Sequence, residues 1–195
     1  SELHGMLSAT TDIGVLGKYK INADTGVVVE EEVIIDERLY GGPALYTFRG
    51  NHNPLPSASI WWLSFGLSPE VRLERIEDVY EDYEHRQVAL DELTSHPATL
   101  IRVNSSPHEI TDSYSFPAGR FASSPTFVPK FNDSEIQDSF GEEDQAAAQD
   151  EGFIICTVYA DHQDNGSSGD ELWIFDAMNL AQGPLCRLGH SNMNL

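Results

Sequence analysis

Histidine is the residue type in this chain best suited to metal binding or acid–base chemistry, and the sequence contains seven histidines. Most of them lie beside proline, asparagine or aspartate, in segments typical of exposed loops. A histidine metal site needs several imidazoles that converge in space, each oriented by a hydrogen bond to its second nitrogen. No spacing in the sequence brings these residues together, so we do not predict any single one to be a metal ligand. The seven are His4, His52, His85, His96, His108, His162 and His190.

Other motifs with chemical potential are few. The sequence contains no Gly-x-Ser-x-Gly, phosphate-binding loop, Cys-x-x-Cys or His-Glu-x-x-His, which argues against the commonest hydrolases, nucleotide-binding proteins, zinc clusters and metalloproteases. The run Asp-His-Gln-Asp at 161–164 has ligand residue types, but we expect a solvated loop at a hairpin tip. The acidic segment 132–151 lacks the acid–glycine alternation of a calcium loop and is interpreted as a long, partly disordered connection.

The elements around these residues read as strands, most clearly in the last third of the chain. Residues 153–159 form an apolar and β-branched run, and 171–176 form a second run across a polar, glycine-containing loop. A third run, 185–188, follows a Gly-Pro pair. We predict a three-stranded meander, with Cys156 and Cys186 as buried, unpaired thiols within it.

Similar patterns occur upstream. Residues 15–37 predict a hairpin whose Asp-Thr-Gly turn supplies a left-handed residue. Residues 59–67 predict a buried strand that ends at Gly66, and 98–103 and 109–116 predict two more strands.

One segment has the helical period instead. Ser68 and Pro69 provide an N-cap and a first helical residue, and apolar side chains then recur at helical spacing to Tyr83. The opposite face is acidic and is interpreted as solvated surface. We therefore predict an amphipathic helix over 69–84. Its apolar positions are Leu73, Ile76, Tyr80 and Tyr83.

Charge and composition restrict the partners. The 195 residues carry 11 basic and 32 acidic side chains, for a formal net charge of −21, which makes nucleic acid an unfavourable partner. The sequence has no apolar run of the length of a membrane span, about 18 residues, and no signal-peptide pattern at its start. The chain begins without methionine and stops where the strand pattern calls for another strand, so we expect a fragment.

A series of short motifs in one order resembles a known family. Ser-Ser-Pro-Thr-Phe-Val-Pro at 123–129 is followed by an acidic spacer, a Gly-initiated strand, Glu-Leu-Trp-Ile-Phe-Asp-Ala-Met-Asn-Leu at 171–180 and Gly-Pro-Leu-Cys-Arg-Leu at 183–188. This order resembles the C-terminal segment of the carotenoid cleavage oxygenases, a family that includes the retinal pigment epithelium isomerase. The resemblance is clear over 114–188 and weaker upstream.

The resemblance implies an all-β fold: residues 1–195 as the C-terminal blades of a seven-bladed β-propeller, with the amphipathic helix inserted. It places Trp61, Trp62 and Phe65 in a blade core as packing residues. It also implies a non-haem dioxygenase that uses Fe(II) and O₂ to cleave a carbon–carbon double bond of a carotenoid or apocarotenoid.

The site residues that the resemblance implies depart from the family pattern. Many relatives have a glutamate before Pro-x-Phe-Val that supports an iron-bound histidine, and this chain has Ser124 there. The family's Glu-Phe-Pro is absent, and proximity alone does not assign Glu37 to that role. His190 lies in the loop before the family's last iron ligand, so we expect all the histidines that bind the iron to lie outside this chain, and the chain alone to be inactive.

Two alternatives remain open. A propeller that has lost its metal would bind a hydrophobic ligand or a protein partner, and an unrelated acidic all-β domain would make the motif order coincidental. For the oxygenase we expect a cytoplasmic or plastid, thylakoid-associated location rather than secretion. The resemblance also allows peripheral membrane contact by the full-length protein.

Overall fold

The computed structural model of the chain describes residues 14–39, 46–48, 59–66, 96–130, 149–160 and 169–189. In these ranges the regular structure is almost entirely β-strand, which confirms the predicted all-β class. The strands are β1 (Val15–Ile21), β2 (Val28–Ile35), β3 (Tyr46–Phe48), β4 (Ser59–Ser64), β5 (Thr99–Ser105), β6 (His108–Ser115), β7 (Arg120–Ala122), β8 (Thr126–Pro129), β9 (Gly152–Ala160), β10 (Glu171–Asp176) and β11 (Cys186–Gly189). A short 3₁₀ helix, Leu180–Gln182, precedes β11.

The strands form three antiparallel sheets. The hairpin sheet is β1 paired with β2, and the central sheet has the order β3-β4-β5-β6. The C-terminal sheet has the order β11-β10-β9, with β7 and β8 both pairing along the free edge of β9. Neighbours in each sheet are mostly consecutive in sequence, so each sheet is a meander that forms from local pairings.

The predicted first hairpin is confirmed. The Asn22 side chain closes its turn, because Oδ1 accepts hydrogen bonds from the Asp24 N–H at 2.9 Å and the Thr25 N–H at 3.0 Å. Gly26 then adopts a φ of 70°, in the left-handed region where glycine carries no steric penalty. The residues of the turn were therefore sufficient to predict this hairpin.

Alternation along β9 and β10 explains how the C-terminal sheet buries one face. Ile154 lies opposite Phe175, and Cys156 lies opposite Trp173, so large side chains pair on the same face. All four are buried. The meander predicted for this region is confirmed, including its third strand, β11.

The main hydrophobic core lies between this face and the central sheet. It combines buried residues from both sheets with those of the connections that follow β6 and β10. Burying a large apolar side chain contributes about 1.5 to 3 kcal/mol, so this interface is the largest source of stability in the described fold. Its members are Trp61, Leu63, Ala98, Leu100, Phe116, Ala122, Ile154, Cys156, Val158, Trp173, Phe175, Ala177 and Leu180.

The other face of the central sheet packs against the hairpin sheet. Ile101 and Val103 of β5 are buried there, together with Leu39, and Leu16 and Ile34 of the hairpin pack against them. Since Leu100 of the same strand faces the main core, β5 is buried on both faces. The three sheets are therefore stacked, with the central sheet between the other two.

Polar side chains also connect the layers. Arg38 donates to both carboxylate oxygens of Asp36 and to Ser113 Oγ on β6, and its own carbonyl accepts from Ser64 Oγ on β4. This pairing lowers the pKa of Asp36 below its usual value. The Lys18 ammonium group donates to the Ser105 carbonyl at 2.6 Å. These contacts fix the hairpin sheet on the central sheet.

Asp112 links the central sheet to the C-terminal sheet. Its carboxylate accepts from the Leu180 N–H at 2.5 Å and from the Ala181 N–H at 3.2 Å. These are backbone donors at the start of the 3₁₀ helix, which have no partner within the helix itself. A side chain on β6 therefore holds the connection between β10 and β11.

Several sequence predictions need correction, and others cannot be compared. Phe65 was placed in a blade core but is 36% exposed, because it follows the end of β4. Asp150 belongs to the segment interpreted as a long, partly disordered connection, yet it is buried and accepts from the Ser59 N–H at 2.9 Å. The amphipathic helix predicted over 69–84 lies outside the described residues, as does most of the acidic segment 132–151.

Within the described part of the chain, no helix is long and apolar enough to span a bilayer.

We predict that Asp112→Ala destabilises the protein by about 1 to 3 kcal/mol, because the two backbone donors lose their acceptor. Equilibrium urea unfolding would measure the change. Glu109→Ala on the same strand is the matched control, since Glu109 is exposed and should change stability little. Equal effects of the two substitutions would contradict the linking role of Asp112.

Candidate functional site

The edge strand of the C-terminal sheet is interrupted where the motif Ser-Ser-Pro lies. β7 pairs with residues 158–160 of β9, and β8 pairs with residues 152–155. Between them, Ser123 N–H donates to the Thr157 carbonyl at 2.8 Å, and Ser123 Oγ accepts from the Thr157 N–H at 3.2 Å. The Ser123 side chain thus replaces a missing backbone acceptor and keeps the ladder satisfied across the break.

The break places Ser124 at the edge of the sheet. Ser124 is exposed, whereas the following Pro125 is buried. On the far side of the break, the Phe127 N–H donates to Thr47 Oγ1 of β3 at 3.2 Å. The segment that carries Ser124 therefore lies where the edge strands of the central and C-terminal sheets meet. A serine hydroxyl at this edge can donate and accept hydrogen bonds but carries no charge.

Two of the seven histidines are in the described part of the chain. His96 Nε2 lies 3.5 Å from Glu37 Oε2, and His108 Nε2 lies 3.2 Å from the Leu16 carbonyl. Glu37 is about half exposed, and His96 is its neighbour across this contact. The other five histidines and the run 161–164 lie outside the described residues.

A charged cluster that the sequence did not indicate lies at one end of the C-terminal sheet. Arg120 Nη2 is 3.9 Å from Glu171 Oε1, and Glu171 Oε2 accepts from the Trp173 indole N–H at 2.6 Å. The guanidinium of Arg187 lies over the Trp173 ring, 4.0 Å from its centroid. Asp170 and Glu171 are both buried. No motif in the sequence marked this cluster.

Three aromatic rings stack near the same end of the sheet. Phe65 and Phe121 are nearly parallel, with centroids 5.3 Å apart, and Phe121 continues the stack to Tyr159 at 6.2 Å. Phe65 and Phe121 are each more than one-third exposed. The stack presents an apolar surface of flat rings, and it joins the end of β4 to β7 and β9.

The two cysteines differ in environment. Cys156 is buried, as predicted, and burial raises the pKa of its thiol to about 12. The prediction for Cys186 was wrong, because this residue is exposed on the edge strand β11. Neither cysteine is in a disulfide.

The comparison with known families follows the motif order. A family model described as retinal pigment epithelial membrane protein matches residues 10–192. The chain belongs to this family, the carotenoid cleavage oxygenases. Carotenoid cleavage oxygenases are in general iron-dependent enzymes that act on carotenoid substrates. A search of curated proteins finds no match to the chain.

The residues that the structure describes do not supply the iron site of a carotenoid cleavage oxygenase. No three His, Cys, Asp or Glu side chains in that part of the chain are grouped closely enough to hold a metal ion. His96 and His108 contact a carboxylate and a backbone carbonyl in different places. The expectation that the iron ligands lie outside this chain, with Ser124 at a supporting position, stays a prediction.

We predict that native protein at about pH 8 reacts with Ellman's reagent at one thiol, and unfolded protein at two, because Cys156 is buried and neutral. Cys186→Ser should abolish the fast reaction. Since the folded pKa of Cys156 lies above the ordinary value of 9.0, unfolded protein ionises first, and stability should fall as pH rises from 9 towards 12. Two rapidly reacting thiols in the native protein would contradict this assignment.

We also predict that Ser123→Ala speeds hydrogen exchange of the Thr157 amide by about five- to tenfold, because one hydrogen bond worth about 1 kcal/mol is lost. Ser123→Thr keeps a hydroxyl and should restore protection. Ser124→Ala is the matched control and should leave the Thr157 amide unchanged. Equal exchange in the alanine and threonine variants would show that the side chain does not bridge the break.

Proposed function

We propose that the chain forms the C-terminal blades of a carotenoid cleavage oxygenase that uses non-haem Fe(II) and O₂ to break a carbon–carbon double bond of a carotenoid or apocarotenoid. The observation that carries the proposal is the family match over residues 10–192. The motif order around Ser124, on which the resemblance was first drawn, lies within that match.

The stacking of the sheets supports the propeller part of this proposal. In a propeller each sheet packs against the next around a central axis, and consecutive antiparallel strands form each blade. The central sheet is such a four-stranded meander and is covered on both faces. The outer face of the hairpin sheet exposes Tyr19, Ile21, Val33 and Ile35. An apolar outer face of this kind is what a further blade would cover.

In this proposal the described residues position neighbouring groups and enclose the site, and residues elsewhere hold the iron. Iron supplies O₂ activation in this class of enzyme. The break between β7 and β8 presents Ser124 at the edge where two sheets meet, with Ser123 holding the backbone in place. A hydroxyl there orients a neighbouring polar group by a single hydrogen bond, without the charge of the family's glutamate.

The remaining parts of the proposal concern partners and location. The substrate is an apolar polyene, and the stack of Phe65, Phe121 and Tyr159 is the kind of flat, uncharged surface that suits it. We propose a cytoplasmic or plastid, thylakoid-associated protein that reaches its substrate by peripheral membrane contact. The net charge of −21 argues against nucleic acid and favours uncharged over anionic lipid.

The test is to measure iron content and O₂-dependent bleaching of β-carotene or an apocarotenal by the full-length protein. We expect about one iron per protein and loss of polyene absorbance in air, with aldehyde or ketone products. The same assay without O₂ is the control and should show no loss. A folded protein with neither iron nor turnover would refute the oxygenase and favour a metal-free propeller that binds a hydrophobic ligand or a protein.

A further inference from the structure

Two buried side-chain nitrogens in the described part of the chain lack a hydrogen-bond partner: His108 Nδ1 and Arg120 Nη1. The histidine can resolve this by its tautomer, because Nε2–H can donate to the Leu16 carbonyl and leave Nδ1 as a bare acceptor. Arginine has no such choice, since its guanidinium is always protonated and has donors only. The unpaired donor of Arg120 is therefore the stronger anomaly.

The strand that carries Arg120 also contributes to the apolar core. Arg120 lies opposite Ala160 on β9, and its neighbour on the same face of the edge strand is Ala122, which packs in the main core with Val158. An unpaired charged donor beside such a core is unfavourable, because it has given up water without gaining an acceptor. The Arg120 side chain is 20% exposed, so it also reaches the surface.

Glu171 is not the missing hydrogen-bond acceptor of Arg120 Nη1. Its Oε1 is 3.9 Å from Arg120 Nη2, which is too long for a hydrogen bond. Its Oε2 is held by the Trp173 indole at 2.6 Å. A side chain on the facing Gly189 would also collide, because an added Cβ would lie 2.7 Å from Glu171 Cγ. The carboxylate is thus fixed beside Arg120. It is close enough to offset the positive charge but does not accept a hydrogen bond from Nη1.

We propose that Arg120 Nη1 donates a hydrogen bond to an uncharged oxygen, the terminal carbonyl or hydroxyl of an oxygenated polyene. The inference rests on the proposed function and narrows its substrate class. Glu171 disfavours a full negative charge at this position, so a neutral oxygen fits better than a carboxylate or phosphate. A single placed donor is the arrangement that orients an apolar ligand by its polar end.

The test compares binding of two polyenes of equal length, an apocarotenal and the corresponding hydrocarbon, by quenching of tryptophan fluorescence without O₂. Trp173 contacts Glu171 and so reports on this region. Arg120→Gln should weaken apocarotenal binding about tenfold, as expected for a lost hydrogen bond from a charged donor, and change hydrocarbon binding less than about twofold. Arg120→Lys should be intermediate.

The control is Lys20→Gln, which removes one positive charge from an exposed side chain on the hairpin sheet, and both polyenes should bind it as they bind the wild type. Equal weakening of both polyenes by Arg120→Gln, or no weakening of either, would overturn the inference. If Arg120→Gln does not fold, the Arg120→Lys variant is compared instead. Weaker binding of the apocarotenal relative to the hydrocarbon supports the inference, and an unchanged ratio of the two affinities overturns it. A wild-type protein that binds neither polyene would refute the proposed function itself, which is a different result.

Discussion

Burial of the Trp61 indole between two sheets is the contact on which the rest of the structure depends. The ring comes from β4 of the central sheet and stacks on Phe127 of β8, with centroids 4.6 Å apart. Its N–H donates to the Ala177 carbonyl at 2.8 Å, just after β10. A buried indole must satisfy this one donor, so a single side chain sets how the two sheets lie against each other. The edge that carries Ser124 and the turn after β10 take their positions from that arrangement.

Basic side chains are few, and some of them connect the sheets. The chain has only 11 basic side chains, and several of them stand between elements rather than on open surface. Arg38 joins the hairpin sheet to the central sheet, and Arg120 lies beside Glu171 at the end of the C-terminal sheet. Exposed pairs such as Lys20 with Glu30 contribute little by comparison. The large acidic excess therefore affects solubility and partner choice more than it affects the fold.

The strands were predictable from sequence because their signal is local. β9 and β10 are short, nearly continuous apolar runs bounded by glycine and polar residues, and the first hairpin has its turn residues in place. The burial of individual residues was not predictable in the same way. Cys186, like Cys156, lies in a run that predicts a strand, but it is on the edge strand β11, and sequence composition does not say which strand is at the edge.

The site was predictable only where a motif marked it. The motif singled out Ser124 by its place before Pro-Thr-Phe-Val, and its supporting role stays a prediction; the role of Ser123 depends on a register break that no pattern indicates. The burial of Asp150 and Glu171 likewise depends on residues distant in sequence. Long-range pairing decided each of these cases, and a single sequence contains little information about it.

The meander order of the sheets has a consequence for how this protein can change. Segment 67–95 joins β4 to β5, and 161–168 joins β9 to β10; in both cases the strands are antiparallel neighbours with their own register. Closing a longer connection between strands already held together costs only about 0.6 kcal/mol for each doubling of its length. Insertions at these two places can therefore accumulate while the packing between the sheets stays the same. The architecture leaves room for new specificity to evolve without a matching loss of stability.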